Sequence, residues 1–346
     1  MNSELSQIPC ENKRLHTEKQ YSEQGVENMI IDCHCHIASE KVLPPKFFDG
    51  WSETISSSLG YEAKSGQEQR VKELLRELNE DPECTKLLHE MDLAGIDLAV
   101  LLVIDFGIVY KNLSLTIEEL HLLHKKVIDR SDRFIAFSSV DPRRGKEGIE
   151  LFEKAVNEWG FRGLKVYSPC GFSPSDKRMF PFYEICSQKR LPVLTHVGPS
   201  SSSLSFKRSN PLGVDDAALN FPNVNFILGH AGVTLYRQAA LMAQYRPNIY
   251  LDLSGFQGEL HQDQFRKILK HHLSRKVMRR VVFGTDWPIH RFWGGQAKWV
   301  NEMKSYASEG VISQEDLENI MSNNAKKILF AGSDEASERV STLAVA

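Results

Sequence analysis

The sequence predicts one α/β domain of the (β/α)8 barrel class, with a long insertion after its first strand and closing helices at its C-terminal end. Three observations carry that prediction. Short apolar runs rich in β-branched residues recur eight times. Amphipathic segments of helical spacing lie between them. Histidines, a lysine and an aspartate stand at the C-terminal ends of several of the runs, the edge where barrels of this class place their chemistry. A length of 346 residues suits one large barrel with insertions.

The strands are expected at 29–33, 98–104, 134–140, 163–167, 192–196, 224–229, 249–253 and 281–284. Most are continuously apolar, as strands covered on both faces must be. Helices are expected at 116–131, 146–159, 180–189, 234–245 and 259–273, with closing helices at 293–308 and 313–330. No Gly-x-Gly-x-x-Gly turn follows any strand, which argues against a doubly wound sheet. Between Ala38 and Leu88 the chain makes a long excursion with Pro44-Pro45, Phe47, Phe48, Trp51 and a charged helix near 67–79. Such connections serve as lids or binding loops; the aromatics could equally form a small satellite core.

Residues 1–28 and 333–346 read as flexible polar tails flanking a barrel domain over 29–332. Hydrophobic content is 41 % and the net charge is −3, so neither a nucleic-acid nor a membrane partner is expected. The six cysteines follow no framework spacing, and no secretory signal is evident. Reduced thiols in a cytoplasmic protein acting on a small molecule are expected, with assembly into a homodimer left open.

His34-Cys35-His36 ends the first run. Strand side chains alternate faces, so the two imidazoles project together as a pair of metal ligands. By the same parity Cys33 and Cys35 should face away from them, and Asp32 should share the face of His34. Asp32 is then either a partner of a ligating histidine or a strand-closing acceptor. Lys165 ends the fourth strand, His196 the fifth, His230 the sixth and Asp286 the eighth. A single histidine at such a position is usually structural. Gathered at one barrel mouth, these residues suit zinc or a similar divalent ion with a place left for water. Asp105, Ser138, Asp252 and Ser254 also end or follow strands, and nothing in the sequence assigns them a role. Arg143 after Asp141-Pro142 could anchor an acidic substrate or be a solvated loop charge. Trp287 and Trp293 could wall the site or pack beneath the closing helices.

Taken as a set, these motifs resemble the metal-dependent amidohydrolase superfamily, in particular the amidohydrolase-related group that includes aminocarboxymuconate-semialdehyde decarboxylase. The resemblance runs from Met29 to about Phe330. It rests on Asp32-x-His34-x-His36, Met91-Asp92-x-x-Gly95, Asp141-Pro142-Arg143, Gly163-Leu164-Lys165, Thr195-His196, Gly229-His230-Ala231-Gly232 and Gly284-Thr285-Asp286-Trp287-Pro288. It implies that His34, His36, His196 and Asp286 hold the metal, most simply one zinc ion. His230 would then polarise the substrate, and Asp286 would shuttle the proton of a metal-bound hydroxide. Lys165 is either carboxylated and bridges a second ion, or binds a substrate carboxylate, or pairs with Asp141 or Asp286. The expected activity is hydrolysis of an amide, lactone or ester-like carbon in a small, acidic substrate. Non-oxidative decarboxylation on the same scaffold is the alternative, and a non-catalytic metal-binding barrel is a third.

Overall fold

The computed structural model describes residues 29–331, without the side chains of residues 259–262. The expected polar tails lie outside the described residues. Within them the chain forms a (β/α)8 barrel. The strands are β1 (Ile31–Cys35), β2 (Leu98–Leu102), β3 (Phe134–Phe137), β4 (Leu164–Val166), β5 (Val193–His196), β6 (Phe226–Gly229), β7 (Ile249–Asp252) and β8 (Val281–Val282). All neighbours pair in parallel, in the orders β1-β2-β3 and β4 through β8. Two seams close the ring. The Lys165 amide donates to Ser138 O at 2.6 Å, and the Cys33 amide to Phe283 O at 2.9 Å.

The eight expected strands therefore all occur; β1 is shifted two residues towards the C-terminus and the others are trimmed by one to three residues. The seam at β4 depends on Gly163. A Cβ there would meet the Phe137 ring at 2.6–2.7 Å.

The helices are α1 (Pro45–Ser58), α2 (Gly66–Leu78), α3 (Thr85–Ala94), α4 (Ile117–Ile128), α5 (Gly145–Glu158), α6 (Phe180–Lys189), α7 (Asp215–Asn220), α8 (Tyr236–Tyr245), α9 (Gln264–Ser274), α10 (Gln296–Ser308), α11 (Gln314–Glu318) and α12 (Asn324–Leu329). Their ends follow local chemistry. Pro45 opens α1, where its missing N–H costs nothing. Thr116 and Glu119 form a reciprocal capping box on α4. None of the described helices is long and apolar enough to cross a membrane.

The core has two layers. Leu164, Val166, Phe152 and Phe182 belong to the larger one, between strands and helices. Ile31, Val100, Ile135, Leu194, Ile227 and Val282 fill the barrel interior, together with Ala325, Ile328 and Leu329 of α12. The last helix thus seals the bottom of the barrel and leaves the opposite mouth for chemistry.

The parity expected of β1 fails at one point. Asp32 pairs with Ala99 and Cys35 with Leu101, so β1 carries one extra residue against β2. Such a bulge reverses the facing of the residues beyond it. Cys33 is inside the barrel with Ile31 by ordinary alternation, the bulge brings His34 to that same side, and Asp32 faces outward. There Asp32 accepts from the Thr285 amide (2.9 Å), Thr285 Oγ1 (2.5 Å), Gln296 Nε2 (3.0 Å), the His34 amide (3.1 Å) and Cys35 Sγ (3.0 Å). It is the strand-closing acceptor, joining β1 to the segment after β8, and not a partner of the His34 ring.

Candidate metal centre and active site

The bulge delivers His34 and His36 to the mouth together. Each ring is held by its Nδ1. His34 Nδ1 donates to Asp252 Oδ2 at 2.7 Å and His36 Nδ1 to Leu102 O at 2.9 Å. These bonds fix the tautomer and leave both Nε2 lone pairs aimed into the mouth. Asp286 Oδ1 lies 3.5 Å from His34 Nε2 and 3.3 Å from His36 Nε2. One ligand atom from each of these three buried residues falls within 4.8 Å of the others. Two imidazole nitrogens, each already oriented from behind, and a carboxylate oxygen fit a divalent ion.

His34, His230 and Asp252 also approach one another within 4.8 Å. The hydroxyl of Ser254 fills the middle of that group, 2.5 Å from Asp252 Oδ2, 2.9 Å from His230 Nδ1 and 3.1 Å from His34 Nδ1. This second cluster is a hydrogen-bonded support. Asp252 and Ser254 brace the His34 and His230 rings, a contact that sequence alone left unassigned because nothing in spacing links position 34 to position 252. Their room depends on Gly284, where a Cβ would meet Asp252 Oδ1 at 2.2 Å.

His196 and His230 stand beside the three ligand atoms without joining them. His230 Nε2 is 3.1 Å from His196 Nδ1, and His196 Nε2 is 3.1 Å from Pro199 O. His230 is held in left-handed backbone geometry, at φ 63°, as is Asp286 at φ 53°. Strain of this kind gathers at functional sites.

Lys165 is 1 % exposed and points into the barrel, its Nζ 3.1 Å from His34 Nε2. It therefore shares the lone pair that faces Asp286. Asp141, one of its expected partners, is taken by Arg143, whose Nε and Nη2 reach the carboxylate at 2.8 and 2.5 Å. Arg143 also donates to Cys170 O at 2.8 Å and does not line the cavity. Of the two readings offered for it, neither a place on the cavity lining nor a freely solvated charge is found; the guanidinium fastens loops. Trp287 likewise packs in the outer core, 1 % exposed.

Electrostatics keep the imidazoles neutral. Burial pushes His36 and His196 down to about 3, with the Lys165 charge adding to it, and holds His34 and His230 well below the usual 6.5. Burial also lowers Lys165 to about 8, against the pull of Asp286 and Asp252. It raises Asp286 to about 7, opposed by His290 and Lys165.

Stability should follow from these shifts. His121, His124 and His272 are also buried and depressed, to about 4, 3 and 3. Below pH 6.5 the unfolded chain gains protons on seven such histidines that the folded chain refuses. Stability therefore falls as pH drops from 6.5 towards 4. Asp32, Asp252 and Asp286, whose raised values act in the opposite sense, offset only part of this. The urea midpoint measured in chelator should be lower at pH 5 than at pH 7; a higher one would mean that the carboxylates dominate.

The mouth opens into a cavity of about 170 Å³ lined by the histidines, Asp286, Tyr167, Ser200 and, from the insertion, Phe47, Trp51 and Thr54. His290, four residues beyond Asp286, lines it too, with Nε2 3.5 Å from Asp286 Oδ2. The long excursion is thus a wall of the site, and Phe47 and Phe48 are at the same time core residues. A serine-rich loop after β5 fastens it. Ser201 Oγ donates to Phe47 O (3.0 Å), the Ser202 amide to Gly50 O (3.3 Å) and Ser202 Oγ to Glu53 (2.6 Å). Ser203 meets Tyr110 OH at 2.6 Å and Ser200 meets Tyr167 OH at 2.7 Å. At Gly50 a Cβ would lie 2.2 Å from Ser201 Oγ, so only glycine allows the approach.

Comparison with known proteins agrees with this architecture. The family described as Amidohydrolase matches residues 31–331. Protein fluG of Emericella nidulans is 28 % identical over 100 residues, which is 29 % of this chain and 12 % of that protein. The match thus spans about an eighth of that curated relative. The 5-carboxyvanillate decarboxylase of Novosphingobium aromaticivorans, solved with manganese and 4-hydroxy-3-methoxy-5-nitrobenzoic acid, superposes with a TM-score of 0.59 at 16 % identity, over 88 % of this chain and 97 % of its own. The 4-oxalomesaconate hydratase of Rhodopseudomonas palustris does so with a TM-score of 0.56 at 16 % identity, over 91 % and 97 %. At such identities the likeness is one of fold.

Proposed function

We propose, from the premise that this chain belongs to the amidohydrolase family, that it is a metal-dependent hydrolase acting on an amide, lactone or ester-like carbon of a small, acidic substrate. The observation that carries the reading is the convergence of His34 Nε2, His36 Nε2 and Asp286 Oδ1 at one buried point, with Lys165 beside them.

A divalent ion bound there, zinc by preference, supplies a Lewis acid and brings the pKa of water from 15.7 to about 7. The protein's own groups do the rest. Asp286 takes a proton from the attacking water and returns it to the leaving group. His230, aimed from β6, donates to the carbonyl oxygen as negative charge develops there. Lys165 stands behind His34, just off the cavity lining, and holds a substrate carboxylate that reaches past that ring. Phe47, Trp51 and Tyr167 keep bulk water out, which strengthens each of these contacts. His196 completes the ligand set only by giving up its present contacts with His230 and Pro199. Carboxylation of Lys165 would replace the ammonium by a carboxylate and make room for a second ion.

A second reading, loss of carbon dioxide from a small carboxylated substrate, is favoured by Lys165 as it stands. A buried ammonium beside aromatic walls suits a ring-bound carboxylate, and the same barrel carries a decarboxylase in Novosphingobium aromaticivorans.

The deciding experiment is a screen of the metal-loaded protein. Lactones and amides are assayed for acid release, carboxylated aromatics and muconates for carbon dioxide. Hydrolysis predicts turnover in the first set alone; turnover in the second alone transfers the site to decarboxylation. Within the same preparation His196→Ala should lower metal content and His230→Ala should spare it while abolishing turnover. Metal loss in the second variant would show that the two roles are exchanged.

A further inference from the structure

A second cavity of about 270 Å³ lies next to the catalytic one, between the segment after β1 and the connection from β2 to α4. Its floor is apolar, made by Val42, Phe106, Leu113, Leu115, Ile117 and Leu120. Its rim is basic, made by Lys41, Lys111 and Arg144. Ile104 borders both cavities. The Phe106 ring, 5.6 Å from Phe47 and 5.5 Å from Tyr167, stands between them.

The rim is built. Asp105 is 3 % exposed and grips Arg144 through Nε at 2.6 Å and Nη2 at 2.8 Å. The guanidinium packs so closely on Gly107 that a Cβ there would meet Nη2 at 2.5 Å. Asp105 also accepts from the Gly107 and Asp141 amides at 3.1 and 2.8 Å. A buried carboxylate that satisfies four donors thus fixes one cation at the edge of a greasy hollow. Two exposed lysines add positive charge that Asp105 does not balance.

An apolar floor under a fixed guanidinium and two ammonium groups matches a small molecule with an apolar body and one carboxylate. Such a ligand removes apolar surface from water and offers an anion to Arg and Lys donors. We propose that this cavity is a binding site for a small amphipathic carboxylate, separate from the catalytic centre. It takes part in no bond-making step and contributes none of the three converging ligand atoms.

Benzoate is the probe, and two isoleucine methyl groups report where it goes. Ile117 lines only the second cavity and Ile289 only the catalytic one. Methyl NMR spectra of the metal-loaded protein are recorded during the titration, with Ile117→Val and Ile289→Val assigning the signals. The Ile117 signal should shift saturably with benzoate and far less with neutral benzamide. The Lys41→Glu/Lys111→Glu pair should weaken the Ile117 response by roughly tenfold or more, as like charge at a rim does, and leave the Ile289 response alone. Leu115→Trp, which fills the hollow, should abolish the Ile117 response. An Ile117 signal that ignores benzoate, responds equally to benzamide or is unchanged by the charge reversal overturns the proposal.

Discussion

Asp286→Asn should lower kcat/KM by roughly 10²–10⁴-fold, the range a positioned proton carrier contributes. Asparagine preserves the shape and the oxygen near His34 and His36. It removes both the basicity that accepts a proton and the negative charge that faces Lys165. Metal content, measured on the same preparation by elemental analysis, should fall as well. Steady-state rates on whichever substrate the screen identifies provide the check. A variant that keeps its activity to within about tenfold would show that the proton travels by another group. His290, 3.5 Å from the other oxygen of Asp286, would be the first to test.

The largest effect on stability is expected at Asp32, outside the cavity. Its carboxylate receives four buried nitrogen or hydroxyl donors and one thiol. Asp32→Ala leaves them without an acceptor, each at about 1–3 kcal/mol when truly unpaired. A loss of about 4 kcal/mol or more is expected, a large fraction of the stability of a typical domain. Urea unfolding in chelator measures it without the contribution of bound metal. A loss below about 1 kcal/mol would mean that water enters and serves these donors. Because Asp32 also receives the His34 amide, the variant should weaken metal binding along with the fold.

Much of this was legible in the amino-acid order. The barrel strands announce themselves because both faces are buried, so Leu98–Leu102 or Phe226–Gly229 read as unbroken apolar runs. The clustering of His34, His36 and Asp286 followed from asking which residue ends each strand. Parity misled at one place, because an inserted residue in β1 leaves no trace in composition and shows only against the register of β2. Helix α1 was hidden for a different reason. Of its three aromatics, Phe47 and Trp51 line the cavity while Phe47 and Phe48 join the core, so the apolar stripe does not resemble that of a surface helix. Asp252 and Ser254 were visible as strand-end residues. Their role needs the 218-residue separation between Asp252 and His34 to be closed by the fold. Arg143 reads from sequence as a substrate anchor or a solvated charge, yet its partner Asp141 stands two positions away and is buried.

The serine loop has a consequence for how the reaction chamber is reached. The strands around the mouth are joined by backbone ladders that cannot part without unfolding the barrel. The wall bearing Phe47 and Trp51 is joined to the opposite side by hydroxyls on Ser201 and Ser202 and by one backbone amide. Water can replace a hydroxyl partner one bond at a time at little net cost. The barrel mouth and its cover are thus fastened by two kinds of joint, one permanent and one that solvent can undo stepwise. Solvent can thus loosen the polar joints of the cover, which the packing of Phe47 and Phe48 still holds, while His34 and His36 stay anchored to the barrel.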